Sequence, residues 1–170
     1  MKTKHVTVEP YNKAWQEAFL DIKTYLETYL KEHTIGIEHV GSTSVVGLAA
    51  KPIIDIDVVI ESEEVFQEVK KELEKIGYHH EGDLGITGRE AFKYDHLPHL
   101  MKHHLYVCTK DSYELKRHLT FRDHLRNHQK DRDQYSEVKL KAAKNHPLDI
   151  DGYINEKEPF IKNIYRKLNI

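Results

Sequence analysis

The chain has 170 residues, a formal net charge of −2 and an isoelectric point of about 6.7. No global field therefore draws it to nucleic acid, and any anionic ligand must be met by a local patch. A single cysteine, Cys108, excludes an intramolecular disulfide framework. No stretch approaches the about 18 apolar residues needed to span a bilayer, and residues 1–8 hold no apolar region long enough for a signal peptide. The chain reads as one soluble, cytoplasmic domain over 1–170 with a heavily charged surface.

Residues 4–9 alternate weakly and predict a short edge strand that stops at Pro10. Between 11 and 31, Trp15, Ala18, Phe19, Ile22, Leu26, Tyr29 and Leu30 recur at spacings of three and four, the mark of an amphipathic helix, with Asn12 as its N-cap. Residues 35–40 read as a short strand ending at Gly41. The small-residue stretch 43–50 has room for a short helix. Pro52 opens a second strand that ends near Glu61. Ser62 is placed to cap the next helix, whose stripe is Val65, Phe66, Val69, Leu73 and Ile76, with Gly77 at its C-terminal end. The three glycines within 82–88 mark a mobile loop or tight turn. Residues 90–94 and 103–109 read as strands. Asp111 or Ser112 caps a helix to about Asn127, a further helix runs to Asn145 before Pro147, and a last one spans 153–168. The order implies an α+β (mixed α/β) fold: a small mixed sheet flanked by helices, with a helical C-terminal third. A doubly wound parallel fold needs more regular alternation.

The strand after Pro52, Ile53-Ile-Asp-Ile-Asp-Val-Val-Ile60, is an apolar run carrying two carboxylates. Strand alternation puts Asp55 and Asp57 on one face with Ile53 and Val59, and Ile54, Ile56, Val58 and Ile60 on the other. Two carboxylates side by side repel and are costly to desolvate unless a cation sits between them. They suit one magnesium ion, or two ions about 3.5–4 Å apart. Just upstream, Gly41 lets the backbone approach a phosphate closely, and Ser42 and Thr43 add hydroxyl donors. Taken alone, Ser42 is a helix cap and the aspartates a solvated strand end; together they favour a phosphate and metal site.

Two other groupings compete for attention. Lys116, Arg117, His118, Arg122 and Arg126 recur in one helical segment, with Arg122 and Arg126 on one face, a pattern more often solvated and paired with Asp123 and Asp131 than used for phosphate. Tyr135 and Lys139, at i and i+4, are placed to line the same groove. Arg89 follows the glycine-rich loop, a candidate lid. Among 13 histidines, His124 and His128 have a zinc-chelating spacing, but no cysteine pair or His-Glu-x-x-His motif supports them. Cys108 reads as a small strand residue.

Glycine–serine followed by an Asp-x-Asp strand resembles the signature of the nucleotidyltransferase fold typified by DNA polymerase beta. The whole chain resembles the GrpB family, a set of nucleotidyltransferase-like proteins. The resemblance is carried by Val8-Glu-Pro-Tyr11 with Trp15, His39-Val-Gly-Ser-Thr-Ser-Val45, Gly47-Leu-Ala-Ala-Lys-Pro-Ile-Ile-Asp-Ile56, His103-His-Leu-Tyr-Val107, Leu119-Thr-Phe-Arg-Asp-His-Leu-Arg126, and Tyr135 with Lys139. It implies a magnesium- or manganese-dependent nucleotidyltransferase. Asp55 and Asp57 would be its metal ligands and catalytic carboxylates. Gly41, Ser42, Thr43, Lys51 and Arg122 would meet the phosphates of a nucleoside triphosphate or related phosphorylated small molecule. Active enzymes of this fold generally place a third carboxylate on a neighbouring strand. The strand 103–109 has none, and offers His104 and Tyr106; His104 would be a metal ligand, a proton acceptor or a histidine simply hydrogen-bonded across the sheet. That departure leaves a second expectation, a nucleotide- or coenzyme-binding module of the same fold without turnover. A third, a zinc-binding interaction protein, would rest on the histidines. Nucleic acid is open as an acceptor, but no aromatic platform interleaved with base-reading residues points to it.

Overall fold

The structure, a computed structural model, describes residues 5–170. Five strands, β1 (Gly36–Val40), β2 (Ile54–Ile60), β3 (Tyr78–Gly82), β4 (Glu90–Tyr94) and β5 (His103–Thr109), form one sheet in the order β1-β2-β5-β4-β3. Only β2 and β5 run parallel; the other neighbours are antiparallel. The helices are α1 (Ala14–Leu30), α2 (Phe66–Lys75), α3 (Tyr113–Asn127), α4 (Gln129–Asn145) and α5 (Ile150–Leu168). The mixed α+β architecture and the helical C-terminal third are as expected. None of the helices among the described residues is long and apolar enough to cross a membrane.

The two faces of β2 explain the layering. Ile54, Ile56, Val58 and Ile60 are at most 1% exposed and join Trp15, Ile22, Leu26 and Leu30 of α1 and Phe66, Val69 and Leu73 of α2 in the main core. The other face begins apolar at Val59, which packs with Cys108, Leu115 and Leu119, so α3 docks there. Burying the Cys108 thiol pushes its pKa up, in keeping with a packing role. Beyond α3, a second cluster of Val45, Leu48, Leu125 and Tyr135 joins the segment after Gly41 to α3 and α4, with Phe160 and Ile161 of α5 at its edge. The C-terminal helices thus roof the face that carries Asp55 and Asp57.

Several local expectations change. The edge strand over 4–9 reduces, among the described residues, to an isolated bridge between Glu9 and Ala50; Lys4 lies outside them. Residues 43–50 hold only a single 3₁₀ turn, Ser42–Ser44, because the turn closes at once through Ser44 N–H to Gly41 O and Val45 N–H to Ser42 O. Ser62 makes no capping hydrogen bond; a 3₁₀ turn, Glu63–Val65, leads into α2 instead. Asn12 does accept from Ala14 N–H at 2.9 Å. The helix expected from 153 starts at Ile150, because the Asp149 carboxylate accepts from Gly152 N–H at 3.0 Å. Strand β3 was not anticipated at all. Only Tyr78 in it is buried, a bulge interrupts its pairing at His80/Gly82, and its polar His-His-Glu run hides the alternation.

Ile56 is fully buried where the main core meets the centre of the sheet. Ile56→Ala is expected to cost about 2–5 kcal/mol in urea unfolding, as large-to-small changes in tight cores do, with the slope of the transition unchanged.

Candidate functional site

The site grows from the register of β2. Asp55 lies across from Val40 on β1 and His104 on β5; Asp57 lies across from Glu38 and Tyr106. Paired residues share a face, so Glu38, Asp55, Asp57, His104 and Tyr106 form one polar patch in the middle of the sheet. The two aspartates differ sharply. The Asp55 side chain is about one-third exposed, and its Oδ1 accepts from His104 Nδ1 at 3.0 Å. Asp57 is fully buried. Its Oδ2 accepts from His118 Nδ1 at 2.6 Å, while its Oδ1 is buried with no hydrogen-bond partner.

Burial raises the Asp57 carboxyl above its usual range, against the pull of His118. Burial also disfavours charge on His118, but the hydrogen bond and negative charge of Asp57 outweigh it, and the imidazole is raised. The pair therefore holds a proton more tightly than either group would in water. On the far side of the ring, His118 Nε2 lies 3.7 Å from Glu114 Oε2, and Glu114 in turn receives Arg117 at 3.0 Å.

Gly41 forms the lip of the site. Its φ is +72°, and a Cβ added there would lie 2.4 Å from Asp55 Oδ2. The position needs glycine twice, for the left-handed backbone and for the close approach to the carboxylate. The Ser42 hydroxyl accepts from Lys139 Nζ, which also donates to Ala49 O at 2.8 Å and lies 4.5 Å over the Tyr135 ring. Lys139 is 2% exposed, and burial drives its pKa well below the usual lysine value, with the Lys157 charge adding to the effect and Asp55 opposing it. Lys157 is lowered by burial and by Lys51, and Lys51 by burial and by Lys102. Lys51, Lys139 and Lys157 line one cleft of about 130 Å³ with Ser42, Thr43, Asp55 and His104. None of the three lysines forms an ion pair with a carboxylate among the described residues.

The other expected residues are placed less simply. Thr43 is buried, and its hydroxyl lies 2.9 Å from His39 Nε2, so the hydroxyl expected to meet phosphate is already engaged. His39 is stacked on Phe19 and is lowered to about 4 by burial and by Arg126, hence neutral at neutral pH. Arg122 donates to Glu38 at 2.7 Å, to the His39 carbonyl at 3.0 Å and to Asp123 at 2.9 Å. It still borders the Asp55 side of the site with Gly41 and Ser42, but its guanidinium is committed to carboxylates. Arg126 donates twice to the Ser44 carbonyl and so clamps the turn. The basic stripe of α3 is thus largely satisfied within the protein. Arg89 does not stand off as a lid: it lies 4.2 Å over the Tyr106 ring, and Ser112 pins the loop before it by donating to Gly88 O at 2.8 Å. His124 and His128 stack at 4.0 Å, with His124 Nε2 bound to Asp131 at 2.7 Å and His128 Nδ1 to the His124 carbonyl at 2.8 Å. Among the described residues no cluster of three or more His, Cys, Asp or Glu is arranged to hold a metal ion.

Sequence reasoning missed Glu38, Glu114 and Lys157, and read His118 only as part of a basic helical segment. The third carboxylate was sought on 103–109, whereas Glu38 stands on the opposite neighbour of β2, held by Arg122. Its alternation within 35–40 was visible, but only the strand order shows that it shares a face with Asp57. His118 and Lys157 come from helices distant in sequence, and no local motif ties them to β2.

A family model described as GrpB protein matches residues 5–167. The chain belongs to the GrpB family. It is 33% identical over 166 residues to the glutamate-rich protein GrpB of Alkalihalophilus pseudofirmus, covering 96% of this chain and 95% of that protein. It is 34% identical over 159 residues to UPF0157 protein YqkA of Bacillus subtilis, but spans only 46% of that longer relative. The crystal structure of GrpB from Enterococcus faecalis superposes with a TM-score of 0.76 at 34% identity, covering 94% of this chain and 99% of that one. A cytoplasmic RNA terminal U-transferase superposes with a TM-score of 0.55 at 16% identity, over 76% of this chain and 41% of that one. At that identity the likeness shows the fold, which in this GrpB protein is nucleotidyltransferase-like.

Two consequences can be measured. Gly41→Ala is expected to lose about 1–3 kcal/mol of stability, since a side chain there is strained and forces Asp55 aside; denaturant unfolding reads the loss, and a shifted His104 ring signal reads the displaced carboxylate. NMR titration of His118 should give a midpoint above its ordinary value of about 6.5, and Asp57→Asn should bring it down. The sign follows from the raised value: the stability that His118 contributes is fully present below pH of about 6.5 and is lost as pH rises through the raised midpoint.

Proposed function

We propose that this protein is a nucleotidyltransferase that takes a nucleoside triphosphate and transfers its nucleotidyl group to a hydroxyl-bearing acceptor with magnesium or manganese. The observation that carries the reading is the cleft in which Ser42 and Asp55 meet Lys51, Lys139 and Lys157. Lys139 is buried and Lys51 and Lys157 are half-buried; burial and neighbouring lysines lower all three, and none pairs with a carboxylate among the described residues, so the cleft lacks an anion that would hold them charged. A polyphosphate chain fits that charge, and an anion in the cleft would restore the lysines to full protonation.

The residues also fit a divalent ion. Asp57 Oδ1 is a buried carboxylate oxygen without a partner, and Asp55 supplies oxygen on the same face. Hard oxygen donors of this kind suit magnesium, with waters and phosphate oxygens completing the shell. When bound, the ion would lower the charge on the phosphates and polarise the reacting phosphorus. The rest falls to the chain. Gly41 and Ser42 would set the phosphate against Asp55. Asp55 orients His104 by accepting from Nδ1–H, which leaves Nε2 as the acceptor of the attacking hydroxyl's proton. The hydroxyl oxygen forms a new bond to the α-phosphorus as the bond to the bridging oxygen breaks. Pyrophosphate leaves with that electron pair, and the lysines offset the charge it carries. Positioning and charge supply most of the rate.

A specific observation favours a second reading, binding without turnover. Beside Asp57, β5 offers Tyr106 instead of a carboxylate, and Glu38 on β1 is already neutralised by Arg122. A binding module needs the lysine cleft and not the full set of carboxylates.

Calorimetry with MgATP separates these readings from failure of both. Wild type should bind, and Asp55→Asn and Asp57→Asn should bind at least about tenfold more weakly (about 1.4 kcal/mol) while keeping the wild-type circular dichroism spectrum. Equal binding by all three would refute the site. Binding by wild type with no pyrophosphate released in the presence of a metabolite pool would select the module without turnover.

A further inference from the structure

A larger cavity of about 520 Å³ opens on the β4–β5 side of His104, away from the lysine cleft, and the mechanism above leaves it unused. Its size falls within the range of small-molecule sites. His104, whose ring Asp55 orients, is a residue that both spaces share. A hollow of similar size, about 570 Å³, runs along the N-terminal part of α3 and shares no residue with the site.

We infer that the cavity beside His104 is the acceptor site, and that it takes a small hydroxylated molecule with a flat or apolar body and one anionic group. This rests on the nucleotidyl-transfer reading of the neighbouring cleft and names its second substrate by chemistry. The walls decide the class. Tyr94, Leu97 and Leu100 give an apolar surface suited to a ring or short chain. Lys93 and Lys102 stand at the border, enough for one carboxylate or phosphate. Glu81 and Asp95 line the same space, and their charge disfavours a second triphosphate. A hydroxyl beside His104 Nε2 then has its proton acceptor at hand.

The back wall is preformed. His103 is 3% exposed; its Nδ1–H donates to the Met101 carbonyl at 2.7 Å, so its Nε2 accepts from the Tyr78 hydroxyl at 2.6 Å. The Tyr94 hydroxyl accepts from the His103 backbone N–H at 3.0 Å, and the two rings stack at 4.6 Å. Burial keeps His103 neutral, which this network requires. A fixed wall spares a ligand the cost of ordering it.

The test is a ¹⁵N-resolved NMR titration of the whole chain with 4-hydroxybenzoate as probe and 4-hydroxybenzamide as its neutral counterpart. The amides of Tyr94, Leu97 and His104 should move with the carboxylate at least about fivefold more readily than with the amide. Lys93→Glu should at least halve that preference while MgATP affinity changes less than about threefold. No shift at these amides, equal response to both probes, or an undiminished preference in the variant would overturn the proposal. Probe binding intact with no MgATP binding to wild type would refute the nucleotide reading, and the acceptor role with it, leaving a small-molecule cavity.

Discussion

Asp57 lies at the centre of the sheet, between β1 and β5, with no exposure to solvent. A carboxylate there is costly to desolvate, and one of its oxygens is met only because α3 delivers His118 onto it. The docking of α3 is therefore both apolar and electrostatic. Leu115 and Leu119 pack on Val59 and Cys108, the next residues along the same face, and this sets the height at which His118 reaches the carboxylate. An apolar residue at position 57 would pack more cheaply. That the chain instead buries a carboxyl group with one oxygen unpartnered is the feature around which the site is arranged.

The surrounding charges sort by whether the fold already uses them. Arg117, Arg122 and Arg126 are bound to Glu114, to Glu38 and Asp123, and to the Ser44 carbonyl. They hold the roof and the glycine turn in place. The lysines are different. Lys139 is tied to a hydroxyl, a carbonyl and the Tyr135 ring, and Lys51 and Lys157 stand beside it, so among the described residues no carboxylate pairs with the three. Positive charge that the fold satisfies is structural here, and positive charge that it leaves unsatisfied lines the cleft.

Much of this was legible in the chain. Periodicity found α1 and α2, whose apolar positions recur strongly, while a cap at Ser112 and the break at Pro147 bounded α3 and α4; four of the five strands among the described residues were read, and α5 was found with its start three residues late. It missed β3, where Tyr78 is the single buried residue and the other positions are polar. The Gly41-Ser42 turn and the Asp55–Asp57 pair were readable because they are local. Their partners were not. Glu38 joins the patch only through strand order, His118 through the docking of α3, and Lys157 through the return of α5 over the cleft. Sequence spacing carries contacts within an element, while these contacts depend on how elements pack. The same limit made Arg122 and the Thr43 hydroxyl look available when both are already bonded.

The central claim is that an anion and a cation complete what the fold leaves open at Ser42, the three lysines and Asp57. The most direct measurement is a crystal structure with magnesium and an α,β-non-hydrolysable nucleoside triphosphate analogue. The account predicts the phosphates on Ser42, Lys51, Lys139 and Lys157, with the ion held by Asp55 and the free Oδ1 of Asp57 while His118 keeps Oδ2. A triphosphate bound elsewhere, or bound with no ion at the aspartates, would contradict it.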